Sequence, residues 1–406
     1  MMKETCMRTN NKNKRFFSLF LVGIIWTALI AAQPAAGQEN EEPIELETME
    51  VEEQEPTVRQ QVEKDFKASK TTTSISERET RDFNAANPSD ALRLIPGVNF
   101  TFGEGSRFGN PDAIRGVTGF PTPDAIDGFP VIRSPGTGAE GAGFNGIGSV
   151  IPSIAISEIE VARGSQGVMF GGQTEGGIFL TKLKRGRRGP IQGTLYAEYA
   201  DIREELYMGE IGGATDDGRY DIYIAGRQLV GDYENVVTDR GTRLLKEDIL
   251  GGLVKAGFEP IKDIRIELLM ITNDNEIVAE EVPGMPSINN LDFRFYGISW
   301  VHEVFQGIGY EVSYSRVTDE NGFLEPGAFQ SLRRADQSNL VGSIYVIRQL
   351  SDSVGYSGAL GIEHAENDAL QEILLGGSGV LDLQFEDDSI YFLNTLTYDD
   401  RISVNA

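Results

Sequence analysis

From Gly193 onward, apolar and polar side chains alternate with a period of two. Ile308, Tyr310, Val312 and Tyr314 fall on one side, against Gly309, Glu311, Ser313 and Ser315 on the other. Val354, Tyr356, Gly358, Leu360 and Ile362 oppose Gly355, Ser357, Ala359, Gly361 and Glu363 in the same way. Ile264, Ile266, Leu268 and Met270 oppose Asp263, Arg265, Glu267 and Leu269. Neighbouring residues of a strand point to opposite faces, so this pattern predicts strands with one apolar and one polar face. About eleven such strands follow. A soluble sandwich alternates too, with its apolar face turned inward, so alternation alone leaves two architectures open.

The connections separate them. Short hairpin turns are predicted at 214–218, 259–262, 305–307, 350–353 and 386–388, and longer polar connections at 231–244, 273–290, 318–336 and 366–379. Short and long alternate, which puts every short turn at one end of the sheet. Membrane-spanning barrels show this asymmetry.

Before residue 189 the pattern changes. Ser76 with Glu79 three residues later forms a capping box and predicts a helix start. Asn87-Pro88-Ser89-Asp90 predicts a second helix, Ala91 to Ile95, stopped by Pro96-Gly97. Strand-sized pieces follow at 113–116, 125–131, 154–161 and 177–182, with Asp127-Gly128 as a tight-turn signal. Two glycine-rich loops, 103–111 and 134–148, lie among them.

The first 37 residues read as a secretory signal peptide. Lys12, Lys14 and Arg15 are the positive start, Phe16 to Ala32 the apolar run, and Ala35-Ala36-Gly37 the small residues for cleavage. The run is shorter than the roughly 20 residues of a spanning helix. From Gln38 to about Gln61 the chain is acidic and poor in aromatics, which predicts a flexible arm, with order from Thr71. Within the arm, Glu47, Thr48, Met49, Glu50 and Val51 could add as a strand to a partner's sheet edge.

Composition removes several functions. The net charge is -26, and loss of residues 1–37 would leave -30, so nucleic acid is excluded as a partner. The single cysteine, Cys6, lies in the signal, which leaves no disulfide or thiolate metal site. The two histidines, His302 and His364, lack a nucleophile at catalytic spacing. No catalytic constellation is visible; the chain reads as a non-enzyme without a cofactor or a metal site of its own. Gly164, Gly171, Gly176 and Gly177 lack the Lys-Ser/Thr of a phosphate loop and read as backbone turns.

The order of the N-terminal pieces resembles the plug domain of TonB-dependent outer-membrane receptors. Asp90 to Val98 resembles the family's early helix and turn, and Ile114-Arg115-Gly116 its short Arg-Gly strand. Ile126 to Pro130 resembles its Asp-Gly hairpin. Ile156 to Gly171 resembles its Ile-Glu-Val-Arg-Gly stretch, and Gly176-Gly177-Ile178 its last plug strand. The segment 47–51 then resembles the TonB box.

The resemblance implies a mainly-β chain. An arm at 38–70 and an α+β plug at 71–188 precede antiparallel transmembrane β-barrel strands at 189–406. About eleven strands are half of the family's roughly 22-stranded barrel, so the chain is read as a truncated piece, or as a split or decayed gene. It also implies a TonB-type periplasmic energy transducer as partner, outer-membrane lipid around the barrel, and a chelate or other small-molecule cargo. The first candidate cargo is a ferric siderophore. Cargo contacts are expected from Arg107, Phe108, Arg133, Phe144 and Asn145 in the plug loops. Arg115, Gly116, Asp127, Gly128, Arg163, Gly164, Gly171, Gly176 and Gly177 are expected to be structural, with both arginines paired to carboxylates such as Glu158, Glu160 and Asp127. Rival readings are a porin-like barrel without energy coupling and a secreted or surface β-protein.

Overall fold

The computed structural model describes residues 58, 61–64, 72–82, 91–92, 95–101, 110–114, 124–131, 150–163, 177–200, 203–237, 243–282, 285–325, 329–373, 379–398 and 402–405. All belong to one unit, Pro56–Ala406. Two bodies of structure lie within it.

The first is a five-stranded sheet in the order β1-β6-β7-β4-β5. Its strands are β1 (Thr72–Ser76), β4 (Asp124–Ile126), β5 (Phe129–Val131), β6 (Ile156–Arg163) and β7 (Gly177–Leu183). A separate ribbon pairs β2 (Val98–Thr101) with β3 (Asn110–Ile114). Helix α1 (Glu77–Asp82) begins at the capping box: the Glu79 amide donates to Ser76 Oγ over 3.3 Å, and the Ser76 amide to Glu79 Oε2 over 2.8 Å. Leu92 and Ile95 are buried, and Gly97 follows them with φ 81° as the turn residue.

The second is an eleven-stranded antiparallel sheet. It runs in strict chain order from β8 (Gln192–Ala200), β9 (Glu204–Ala214) and β10 (Tyr220–Val237) to β11 (Arg243–Ile261), β12 (Ile264–Val282) and β13 (Met285–Phe305). It continues through β14 (Ile308–Glu325), β15 (Phe329–Ser351), β16 (Val354–Ile373) and β17 (Gly379–Tyr398) to β18 (Ile402–Asn405).

The apolar face of this sheet points outward. On β14, Val312 and Tyr314 are exposed, whereas Glu311, Ser313 and Ser315 are buried. On β16, Leu360 and Ile362 are exposed, and Ser357 and Glu363 are buried. A sandwich would show the reverse. An exposed apolar surface of this extent is that of a lipid-facing wall. Aromatics rim it: Tyr220 stacks on Phe258 at 5.1 Å near the short turns, and Tyr296 and Tyr314 stand at the other edge. Tyr296 to Phe305 is ten residues of one strand, about 30 Å along it over the steps between them and about 23 Å across a bilayer at a ~40° tilt.

Two sequence expectations fail here. Glu386–Asp388 is no turn; β17 passes straight through it, with Glu386 opposite Glu366. The polar connections expected at 231–244, 273–290, 318–336 and 366–379 are mostly strand. β12 and β13 pair from Ile264↔His302 to Val282↔Met285. Strands of 21 and 23 residues, β13 and β15, far exceed the 9–11 needed to cross a bilayer. Past the lipid both faces meet polar surroundings, so alternation fades while the hydrogen-bond ladder continues. Beyond Tyr296 and Tyr314 the outer face carries ion pairs instead, such as Arg294–Asp292 and Arg316–Asp336.

Ordered structure also begins before Thr71. Residue 58 and residues 61–64 are helical, and Val58 and Val62 are buried. Valines one helical turn apart give this otherwise polar stretch an apolar edge.

Candidate functional site: the plug–wall interface

The inner face of the large sheet is covered by the smaller one. A single apolar cluster joins Ile126, Phe129, Ile156 and Ile159 of the plug to Leu253, Ile271, Phe293 and Phe295 of the wall. The β4–β5 hairpin is its tip. Asp127 and Gly128 have φ values of 50° and 87°, the left-handed pair that a tight two-residue turn requires.

Asp127 does more than turn the chain. Its Oδ1 accepts from the Leu183 amide at 3.0 Å, binding the hairpin to β7. Its Oδ2 lies 2.8 Å from Lys255 Nζ on β11, with the two side chains 10% and 4% exposed. This is a dry ion pair between plug and wall. Phe129 meets Phe295 edge-to-face at 5.9 Å and 68°. Gly297 leaves the room: a Cβ there would stand 3.1 Å from the Phe129 ring.

Arg163 has two neutral partners within the plug. Its guanidinium donates to Thr73 Oγ1 at 2.7 Å and to the Pro96 carbonyl at 2.8 Å, tying β6 to β1 and to the turn after the buried Ile95. The carboxylates expected near it also hold lysines. Glu158 and Glu160 hold Lys182 at 2.6 and 2.8 Å, and Asp127 holds Lys255. Burial pushes the Lys182 ammonium toward neutrality, but Glu160 and Glu158 outweigh it and hold its pKa above the usual lysine range. Gly177, opposite Arg163, has φ 135° and opens β7.

A second ionic seam lies near the short turns. Lys184 bridges Glu77 of α1 and Glu210 of β9, at 2.9 Å each. Arg185 pairs with Glu267, and Arg265 with Glu267 and Asp221. A cavity of about 370 Å³ opens here, lined by Glu77, Arg81, Lys184, Arg187 and Glu210. Burial raises the Glu77 carboxyl, but Lys184, Arg81 and Arg187 together hold it below the ordinary value of 4.5. A depressed carboxylate contributes stability that is present above the unfolded value and lost as pH falls through the folded one. The protection of the α1 amides, taken relative to their intrinsic exchange rate at each pH, is therefore expected to fall on acidification below about pH 4.5, and Glu77→Gln should flatten that dependence. An unchanged acid response in Glu77→Gln would remove Glu77 as its source.

Among the sequence-predicted residues, the structure brings Asp127 and Gly128 to this interface and places Arg163 and Gly177 opposite each other on β6 and β7, within the plug sheet. Glu47 to Val51, Arg107, Phe108, Arg115, Gly116, Arg133, Phe144, Asn145, Gly164, Gly171 and Gly176 lie outside the described residues. Sequence reading missed Lys255. Its signal was available: a lysine on the polar side of β11, between Leu253 and Gly257, needs a carboxylate across the interior. Among the described residues no group of three or more His, Cys, Asp and Glu is placed to hold a metal, and no helix is long and apolar enough to cross a membrane.

The TonB-dependent receptor plug domain profile matches residues 64–178, the segment that forms the plug sheet and its hairpin. The chain carries a TonB-dependent receptor plug domain. Solved structures of outer-membrane receptors share its fold. The alcaligin outer-membrane receptor of Bordetella pertussis matches with TM-score 0.64 and 15% identity, over 80% of this chain and 52% of its own. A hemophore receptor of Serratia marcescens, solved as a double mutant with its hemophore and heme, matches with TM-score 0.67 and 15% identity, over 84% and 51%. A pyoverdine-bound receptor of P. aeruginosa matches with TM-score 0.65 and 12% identity, over 82% and 50%. The chain thus spans about half the length of these receptors. No curated protein matches it in sequence.

Proposed function

We propose that this chain is the plug-bearing part of an energy-coupled outer-membrane importer, taking up a scarce substrate, in the first place a ferric siderophore or other metal chelate. The observation that carries this reading is a plug latched by Asp127–Lys255 and Phe129–Phe295 to the inside of an outward-apolar wall. A channel without energy coupling has no use for so firm an obstruction. Residues 1–37 export the chain, and 38–70 form the periplasmic arm with the plug at 71–188 and the barrel strands at 189–406. Glu47 to Val51 pair with a TonB-type transducer, and Arg107, Phe108, Arg133, Phe144 and Asn145 meet cargo from the plug loops. Relatives of the same fold are described as receptors for alcaligin and for a heme-bearing hemophore, which supports a chelate.

Strand addition uses backbone amides, which proline lacks. Met49→Pro in the complete reading frame is therefore expected to reduce transducer-dependent uptake from a panel of iron-55 chelates at least about tenfold, with binding to whole cells unchanged. Uptake that is insensitive to Met49→Pro, or to loss of the transducer, would exclude energy coupling through this arm. A heat-modifiable outer-membrane band on electrophoresis tests the location, and a soluble product would favour a secreted β-protein.

A further inference from the structure

The plug is held unevenly. Toward β10–β14 it packs directly on an apolar wall that includes Leu253, Ile271, Leu291 and Phe293, and both latches lie on that side. Toward β15–β17 a third segment intervenes. Val58 and Val62 share one cluster with Ala125, Ile178 and Leu180 of the plug and with Tyr345, Tyr391 and Leu393 of the wall. The Val58 amide also donates to Glu303 Oε1 at 2.9 Å, beside the short turn between β13 and β14. In sequence this segment follows Val51 by only seven residues.

Farther along β15 and β16, away from the short turns, the inner wall becomes carboxamide. Gln337 stands directly opposite Asn367, and Asn339 Nδ2 donates to Glu363 at 2.6 Å. All four side chains are buried. Among the described residues, Gln337 Oε1, Asn339 Oδ1 and both polar atoms of Asn367 meet no hydrogen-bond partner. Buried polar atoms of the same kind also occur on the β10–β14 side, at Asn273 Nδ2, Asn289 Oδ1 and Asn290 Oδ1, so the packing of the intervening segment, and not the amides, tells the two sides apart.

We propose that the passage in this half of the molecule opens between the plug and strands β15–β17, and that the segment carrying Val58 and Val62 is the wedge that closes its short-turn end. The β10–β14 contacts are the fixed side on which the plug remains seated. This rests on the importer reading above and adds which side opens and which residues release it. Withdrawal of two valines and one backbone hydrogen bond is a far smaller disruption than breaking the Asp127–Lys255 and Phe129–Phe295 contacts. Tension applied through the preceding arm therefore reaches the weak side first.

The test uses thiol accessibility in the full chain, where Cys6 is the only native cysteine and is replaced by serine. One reporter is Asn339→Cys on the opening side, the other Leu291→Cys on the fixed side. With Val58→Asp/Val62→Asp, labelling of Asn339→Cys by a membrane-impermeant maleimide is expected to rise at least about tenfold, while Leu291→Cys stays within about twofold of its rate in the parent. A rise at both reporters means that the plug has simply come loose, and overturns the wedge. No rise at either overturns it as well. If the aspartate pair prevents folding, Val58→Ala/Val62→Ala is read by the same two reporters with the same criteria. Labelling needs neither cargo nor an energised membrane. Failure here therefore leaves the importer reading standing, and failed uptake with the expected labelling does the reverse.

Discussion

Lys255→Met is expected to weaken the docking of the β4–β5 hairpin by about 3–5 kcal/mol, because it leaves the Asp127 carboxylate buried without its counter-charge. The pair is dry on both sides, so solvent screening does not dilute the loss. In hydrogen exchange this corresponds to an increase of at least about a hundredfold at the amides that the pair protects, foremost Leu183 N–H, which donates to Asp127 Oδ1. Asp127→Asn should be less damaging, since the Lys255 ammonium keeps the attraction of the buried Glu267 carboxylate. The double variant Asp127→Asn/Lys255→Met should recover to within about 1–2 kcal/mol of the parent, because a neutral pair of similar volume removes the charge problem altogether. A double variant as damaged as the sum of the single ones would show that the two groups are not coupled. Substitution of an exposed pair such as Arg316–Asp336 is the matched control, with an expected effect below about 1 kcal/mol.

Phe129→Ala is expected to destabilise the same hairpin by about 3–5 kcal/mol, the usual penalty for emptying a fully packed aromatic site. Phe129 is 3% exposed and its ring partner Phe295 is fully enclosed. The contact also has a fit that can be tested from the opposite direction. Gly297→Ala places a methyl group 3.0 Å from the Phe295 ring and 3.1 Å from that of Phe129, tight enough to force a shift. Combining Gly297→Ala with Phe129→Leu should therefore destabilise less than the two changes measured apart. The measurement is the protection of the β4–β5 amides against exchange. Strict additivity would mean that the hairpin does not rest on Gly297, and the latch would have to be placed elsewhere.

The lipid-facing wall was readable because its physics is local. Strand geometry turns alternate residues to opposite faces, so Val312 and Tyr314 against Ser313 and Ser315 disclose a two-faced strand whatever its neighbours do. The capping box at Ser76 and the Asp127-Gly128 turn were readable for the same reason: each is set by side-chain and backbone preferences a few residues apart. The strand ends were not. Where both faces are polar, composition no longer distinguishes a loop from a ladder, and Glu386–Asp388 reads as a turn although cross-strand hydrogen bonds carry β17 through it.

Partners across the interior were equally out of reach. The sequence contains Asp127, Glu158, Glu160, Arg163, Lys182 and Lys255, and charge counting permits several pairings. Only the packing of β7 between β6 and β4, and of the hairpin on β11, assigns Lys182 to the two glutamates and Lys255 to Asp127. The buried role of Val58 and Val62 was hidden by their neighbours, since two valines among polar residues bury nothing until a plug and a wall stand on either side of them.

Sequence by itself determined the architecture in outline: alternating strands, a turn-rich unit before them, and the motifs that mark a TonB-dependent receptor plug domain. Tertiary structure alone decided which way the apolar faces point, how far the strands outrun the membrane, and on which side the plug is fastened. The division follows from range. Backbone geometry and short-range caps act over two to four residues and leave a readable mark on the sequence. Burial and ion pairing act between residues more than a hundred positions apart, as Asp127 and Lys255 are, and exist only once the chain has brought them together.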